Sequence, residues 1–254
     1  PHAVALYQRP FERRLPQYLG STEGSRRVSG DIRVEQAGHT CTITLNRPDK
    51  ANALSAAMSD GIFQAVAEAP GKGARVIVLR GEGRHFCAGF DFGNFEALSD
   101  GDLALRFLRV EEMLQAVFHC PLPVLALAQG RAVGAGADLA AAAMKVVAAP
   151  EAQFQMPGPR FGVILGPRRL AFRIGAVKAR HIQIENRAIP AQEARDIGLV
   201  DALAPPEAWD TLTAEFADAF SRLDAATTTA LADVTRPDTR EADMAALARS
   251  VAVP

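Results

Sequence analysis

The 254-residue sequence is 48% apolar and 22% charged, enough to bury a substantial core as one large or two small domains. Its 28 Lys and Arg nearly balance 29 Asp and Glu, and a formal charge of −1 provides no global field to draw nucleic acid or an anionic membrane. Cys41, Cys87 and Cys120 lack the number and spacing of a disulfide framework or zinc site, the longest apolar stretch (123–149) is broken by Gln129, Arg131, Asp138 and Lys145, and no signal-peptide pattern opens the sequence, so a soluble, cytoplasmic protein without a metal is expected.

Residues 1–30 set Arg9, Arg13, Arg14, Arg26 and Arg27 among Pro, Gly and Ser and read as an N-terminal arm. From Ile32, β-branched residues alternate over 32–36 and 40–46 on either side of Gly38, the pattern of a hairpin. Met58, Ile62, Ala65 and Val66 recur at helical spacing over 55–69, and Pro70-Gly71 ends that helix. The apolar run 75–80 predicts a short buried strand. A helix over 102–119, a strand over 124–128, a small-residue helix from about Gly134 and a strand over 145–149 follow. Such alternation implies an α/β core with right-handed crossovers. Beyond Ala191 the chain is mainly helical, and its segments 207–221 and 240–251 carry apolar faces to pack on the core or on another subunit.

Two glycine-rich segments each follow a predicted strand: Gly81-Glu82-Gly83-Arg84-His85-Phe86-Cys87-Ala88-Gly89-Phe90-Asp91 and Gln129-Gly130-Arg131-Ala132-Val133-Gly134-Ala135-Gly136-Ala137-Asp138. Small residues after a strand let a ligand approach backbone N–H groups, and the second segment opens a helix whose N-terminus favours negative charge. Neither has the GxGxxG spacing of a dinucleotide site, and no Walker lysine motif is present.

These segments resemble those of the crotonase, or enoyl-CoA hydratase/isomerase, superfamily. The similarity spans roughly 32–203 in family order. It includes Asn46-Arg47-Pro48-Asp49-Lys50-Ala51-Asn52-Ala53-Leu54, Phe86-Cys87-Ala88-Gly89-Phe90-Asp91, Pro123-Val124 leading to Gly134-Ala135-Gly136, Ala152-Gln153-Phe154, and Ile189-Pro190-Ala191-Gln192-Glu193-Ala194 through Gly198-Leu199-Val200. The resemblance implies an α/β crotonase-like spiral of ββα units over 31–203, followed by a C-terminal helical oligomerisation region over 204–254. It also implies an acyl-CoA substrate, no cofactor beyond the coenzyme A of that substrate, and a homotrimer or dimer of trimers. The family's oxyanion hole is a pair of backbone N–H groups, which fall here on Phe90 and Ala135. Peptide donors aimed at developing charge need no particular side chain, and losing one typically costs about 2.7–4 kcal/mol of barrier. Lys50, Ala51, Ala53 and Ala88 match the coenzyme A path. Gly89, Asp91, Val133, Gly134, Pro157 and Gly158 match positions around the thioester and acyl group.

Hydration in this family looks to two carboxylates. Asp138 stands at the first position, where a first-turn aspartate is also favoured by the helix dipole alone. The second falls on Gly158, so an ordinary hydratase reaction is expected to be poor. On the 102–119 helix Leu103, Phe107, Val110, Leu114, Val117 and Phe118 form one stripe with Glu111 at its edge. Relatives place a catalytic His on this helix, which makes Glu111 a candidate acid; the alternative is a core-edge Glu paired with an Arg. Arg168-Arg169, after a Gly166-Pro167 helix start, could contact a phosphate or subunit or form a solvated pair. The expected function is that of an acyl-CoA enzyme of the hydratase/isomerase type. The alternatives are a hydrolase, decarboxylase or C–C bond enzyme working with one carboxylate, and a non-catalytic CoA-binding subunit.

Overall fold

Strands β1 (Ile32–Ala37) and β2 (Thr40–Leu45) form the expected antiparallel hairpin, in register from Ile32 opposite Leu45 to Ala37 opposite Thr40. The computed structural model describes residues 30–93 and 95–251, so the arm expected over 1–30 lies outside the described residues apart from Gly30. Helix α1 (Ala56–Glu68) is capped by Ser55, whose Oγ accepts the Met58 N–H at 3.0 Å. The chain then crosses to β3 (Val76–Gly81), parallel to β2.

Helix α2 (Asp100–Phe118) starts two residues before the expected position because Ser99 caps it, with Asp100 and Asp102 in the first turn. Strand β4 (Val124–Ala128), short strand β5 (Arg131–Val133), helix α3 (Ala135–Ala142), strand β6 (Lys145–Ala148) and strand β7 (Gln153–Gln155) follow. Helix α4 (Pro167–Ile174) begins at the expected Gly166-Pro167 start, and α5 (Ala176–Glu185), not expected from the sequence, follows it before β8 (Ile189–Pro190), α6 (Ala191–Asp196) and β9 (Ala202–Leu203).

The main sheet has the order β1-β2-β3-β4-β6-β9, parallel from β2 onward, and β5-β7-β8 form a second sheet. Ile43, Ile77, Leu79, Ala126 and Val146 pack into the cluster shared with α1, α2 and α3. The intervening Val76, Val78, Leu125, Leu127 and Val147 face the other way. A parallel sheet covered on both sides needs both sets apolar, which is why these strands read as continuous apolar runs.

The C-terminal segment supplies the second cover. Helix α7 (Trp209–Ser221) lays Trp209 and Phe216 on the Val76 face, helix α8 (Ala225–Thr235) is capped by Asp224, and α9 (Arg240–Val251) packs on α2 with Leu247 buried. The one strand described beyond α6, β9, has no sheet of its own and pairs with β6 at the edge of the main sheet. No helix among the described residues is long and apolar enough to cross a membrane.

Candidate active site

The first glycine turn leaves the end of β3 and is pinned from beneath. Asn52, fully buried with φ +55°, donates Nδ2 to the Glu82 and His85 carbonyls at 2.9 and 2.7 Å and accepts the Arg47 N–H at 2.9 Å. Gln129 Nε2 donates to the Gly81 and Gly83 carbonyls at 2.7 and 2.9 Å. Neither residue was assigned a role from sequence. Asn52 closes the Asn46-Arg47-Pro48-Asp49-Lys50-Ala51-Asn52 stretch and Gln129 abuts Gly130, which were the available signals.

Residues 86–91 run between two neighbours. On one flank the Ala88 N–H meets Ala51 O (2.9 Å), the Leu54 N–H meets Gly89 O (2.7 Å) and the Asp91 N–H meets Leu54 O (3.2 Å). On the other, the Phe86 and Cys87 N–H groups reach Gln129 O and Arg131 O, and the Val133 N–H reaches Cys87 O. In the parallel bridge between Leu54 and Phe90, Leu54 bonds to residues 89 and 91. The Phe90 N–H therefore turns away from Leu54 toward the second-turn flank, where it has no acceptor among the described residues.

The second turn delivers its own unpaired donor. Gly134 N–H bonds Gln155 O at 2.8 Å, and α3 begins at Ala135, whose N–H is one of the orphans at a helix start. The two turns are pressed together. A Cβ on Gly89, which sits at φ +89°, would overlap Val133 O and lie 3.5 Å from Ala135 N, and one on Gly136 would overlap Cys87 O. Only glycine fits at either place. The Phe90 and Ala135 amides thus stand on two turns in contact, neither with an acceptor among the described residues.

Asp138 lies one turn along α3 from Ala135. It is 5% exposed, and its carboxyl forms no hydrogen bond with a described residue. Burial pushes its pKa up to about 8, with nearby Glu111 adding to the rise and Arg169 opposing it. A Cβ on Gly166, at φ +73°, would overlap Asp138 Oδ1, so Gly166 at the head of α4 makes room for this acid. That dependence was not legible beforehand. Of the two alternatives for Glu111 the structure shows the pairing: it is 1% exposed and clasped by Arg169 at 2.9 and 2.6 Å. Arg169 is not a solvated residue either. It is as buried as Glu111 and also bonds Asp243 at 3.1 Å, while Arg168, half-exposed, bonds the other Asp243 oxygen at 3.0 Å.

The remaining candidates fall around the junction. Lys50 is exposed, Ala51 and Ala53 are half-buried beside it, and Ala88 is bonded to Ala51. Pro157 lies against Gly134, and Gly158 opens a 3-10 turn in which the Val163 N–H returns to its carbonyl. Asp91 is spent on loop structure: it bonds Arg47 at 2.8 Å and the Gly93 N–H at 2.8 Å, and these outweigh its burial to hold its pKa below the usual range. The Phe90 ring stacks on Phe107 at 4.4 Å, with the Arg106 guanidinium 4.5 Å from its centroid. His85 Nδ1 accepts the Arg131 N–H at 3.2 Å, tying the two turns together. A cleft of about 140 Å³ lies elsewhere, among α2, α3, α4 and α8.

A model of the enoyl-CoA hydratase/isomerase family matches residues 35–252. A probable enoyl-CoA hydratase of Rhodobacter capsulatus is 40% identical over 179 residues, covering 68% of each chain. A Bordetella parapertussis structure named for the enoyl-CoA hydratase/isomerases superposes with a TM-score of 0.87 at 44% identity, covering 89% of this chain and 95% of that one. A Thermobifida fusca protein named for the hydratases, solved with acetoacetyl-CoA, shares the fold at a TM-score of 0.74 and 22% identity, covering 87% of this chain and 93% of that one.

Proposed function

The chain belongs to the enoyl-CoA hydratase/isomerase family, with the family's mixed α/β crotonase fold, and from that premise we propose that it binds an acyl-CoA with the thioester oxygen between the N–H groups of Phe90 and Ala135. The observation that carries this reading is that these two amides, on separate turns held in contact by Gly89 and Gly136, are both without acceptors among the described residues. Negative charge on the oxygen of an enolate or tetrahedral species is stabilised by donors already in place, with the N-terminus of α3 adding its partial positive charge. Coenzyme A enters past Lys50, Ala51, Ala53 and Ala88, and the acyl group extends along Gly89, Val133, Gly134, Pro157 and Gly158 toward Asp138. Asp91 fixes the loop after Phe90 through Arg47.

Asp138 is the proton-transfer group in this proposal. Where the enolate forms by decarboxylation or C–C cleavage, the protonated carboxyl gives its proton to the enolate carbon and regains one from solvent; where it forms by loss of a C–H proton, the ionised carboxylate takes that proton and returns it to the other end of the dienolate. With Gly158 in place of a second carboxylate, nothing at that position activates water, so the reaction class favoured is enolate protonation or isomerisation by one acid rather than hydration. Enolate formation by decarboxylation or C–C cleavage uses the same machinery. The family's trimer or dimer of trimers completes the proposal, and light scattering reads it directly.

The test is turnover of crotonyl-CoA, 3-enoyl-CoA and β-keto acyl-CoA thioesters by the purified protein and Asp138→Ala. Turnover of at least one, reduced about 10²–10⁴-fold in the variant, supports the reading. Release of free coenzyme A that is indifferent to Asp138 identifies a hydrolase instead, and tight coenzyme A binding with no turnover identifies a binding subunit.

A further inference from the structure

Charged side chains from three helices converge near Asp138, which lies against Gly166 at the head of the helix that carries Arg169 and is influenced by the charges of Arg169 and Glu111. On α4, Arg169 Nη1 donates to Glu111 Oε1 at 2.9 Å and to Asp243 Oδ2 at 3.1 Å, and Nη2 donates to Glu111 Oε2 at 2.6 Å. Glu111 comes from α2 and Asp243 from α9. Glu111 Oε1 also accepts Gln115 Nε2 at 2.8 Å, and the same Nε2 reaches the Arg240 carbonyl of α9 at 2.9 Å. The second Asp243 oxygen takes Arg168 Nη1.

The charges close on themselves: two guanidiniums against two carboxylates, with the Arg169 and Glu111 side chains 1% exposed and that of Asp243 3%. Other titratable groups face this cluster from the end of α2 and the approach to α9. His119 is held neutral, its pKa pushed down to about 4 by burial and then by Arg240, Arg236 and Arg169. Arg240 is itself paired with Asp238 and Arg236 with Asp233. Asp138 is the member left without a counter-ion. Ionising it would add an uncompensated negative charge beside a neutral cluster whose Arg169, Glu111 and Asp243 members are buried, which is strongly disfavoured.

We infer that Glu111 and Asp243 are positioning residues for the acid: by holding the Arg169 guanidinium between α2 and α9 they deny Asp138 a counter-ion and keep its proton available to the acyl group. This rests on the reading of Asp138 as the proton-transfer group. It also makes the seating of the last helix, through Asp243, a determinant of acidity at the site.

Selective ¹³C labelling of aspartate carboxyls, with Asp138 assigned by its loss in Asp138→Asn, reads the proton directly whether or not turnover uses it. In Glu111→Gln and in Asp243→Asn the Asp138 titration moves to lower pH by at least about one unit: the first removes a negative charge and frees Arg169 to turn toward Asp138, and the second removes a negative charge that offsets the Arg169 guanidinium where it stands. Asp243→Asn leaves the Glu111–Arg169 pair intact and serves where Glu111→Gln fails to fold. Folded variants that lose stability while Asp138 titrates where it does in the native protein would overturn the inference and leave the cluster a structural clamp. A shifted Asp138 titration with an unmoved pH profile of turnover would show that the cluster sets the Asp138 titration but would refute Asp138 as the proton-transfer group, and the positioning role would fall with it.

Discussion

Replacing Asp138 by Asn separates two consequences of burying an unpartnered carboxyl. The group titrates near 3.8 in an unfolded chain and at about 8 in the fold. Because the folded value is the higher one, the folded protein keeps a proton that the unfolded chain has already released, and the free energy of unfolding falls as pH rises through this interval. Below about pH 4 both states are protonated and the effect is absent; above about pH 8 it stops growing. Each pH unit between contributes about 1.4 kcal/mol, so the penalty is under 2 kcal/mol at pH 5 and about 4 kcal/mol at pH 7. Asn has nearly the shape of the protonated acid and no charge to bury. Urea unfolding of Asp138→Asn against the native chain should therefore show a stability gain that grows from pH 5 to pH 7 by about 2–3 kcal/mol, while turnover falls about 10²–10⁴-fold. A gain that does not change with pH, or a loss of stability at both values, would refute the reasoning.

Gly89→Ala tests the contact between the turns. Its Cβ overlaps Val133 O at a φ of +89°, so roughly 2–5 kcal/mol of stability is lost to strain and overpacking, as denaturant titration will read. Forcing the turns apart moves a donor, and thioester turnover falls about 10²–10³-fold even where circular dichroism shows the fold retained. The three thiols make a separate prediction. Burial pushes Cys87 up to about 12 and Cys120 to about 11, and raises Cys41 as well, so an aromatic disulfide reagent at pH 8 should label none of them until the protein unfolds. Rapid labelling of the native protein would contradict the buried placement of these residues.

The strands were legible where the sheet is covered on both faces. Val76 to Leu79 and Val124 to Ala128 carry unbroken apolar runs because their alternate side chains enter two different apolar layers. Strands β5, β7 and β8 are two or three residues long and offer no period to detect. The site was legible in part for a related reason. Residue type and order place Phe90 and Ala135 at the glycine turns, but whether their amides are spent is decided by Leu54, Gly89 and Asp91 through a bridge formed across the chain. Glu111 at the edge of an apolar stripe is equally consistent with a desolvated acid and a buried ion pair. Arg169, 58 residues later, decides between them. The character of Asp138 depends in turn on Gly166 and on that same engaged guanidinium.

The central claim is tested most directly by a crystal structure of the protein with acetoacetyl-CoA or a non-reactive thioether or amide analogue retaining the acyl oxygen. The account predicts that oxygen within hydrogen-bond distance, about 2.7–3.2 Å, of both Phe90 N and Ala135 N, with the acyl chain directed toward Asp138. An acyl oxygen seated more than about 4 Å from either nitrogen, or bonded to other donors, would contradict it.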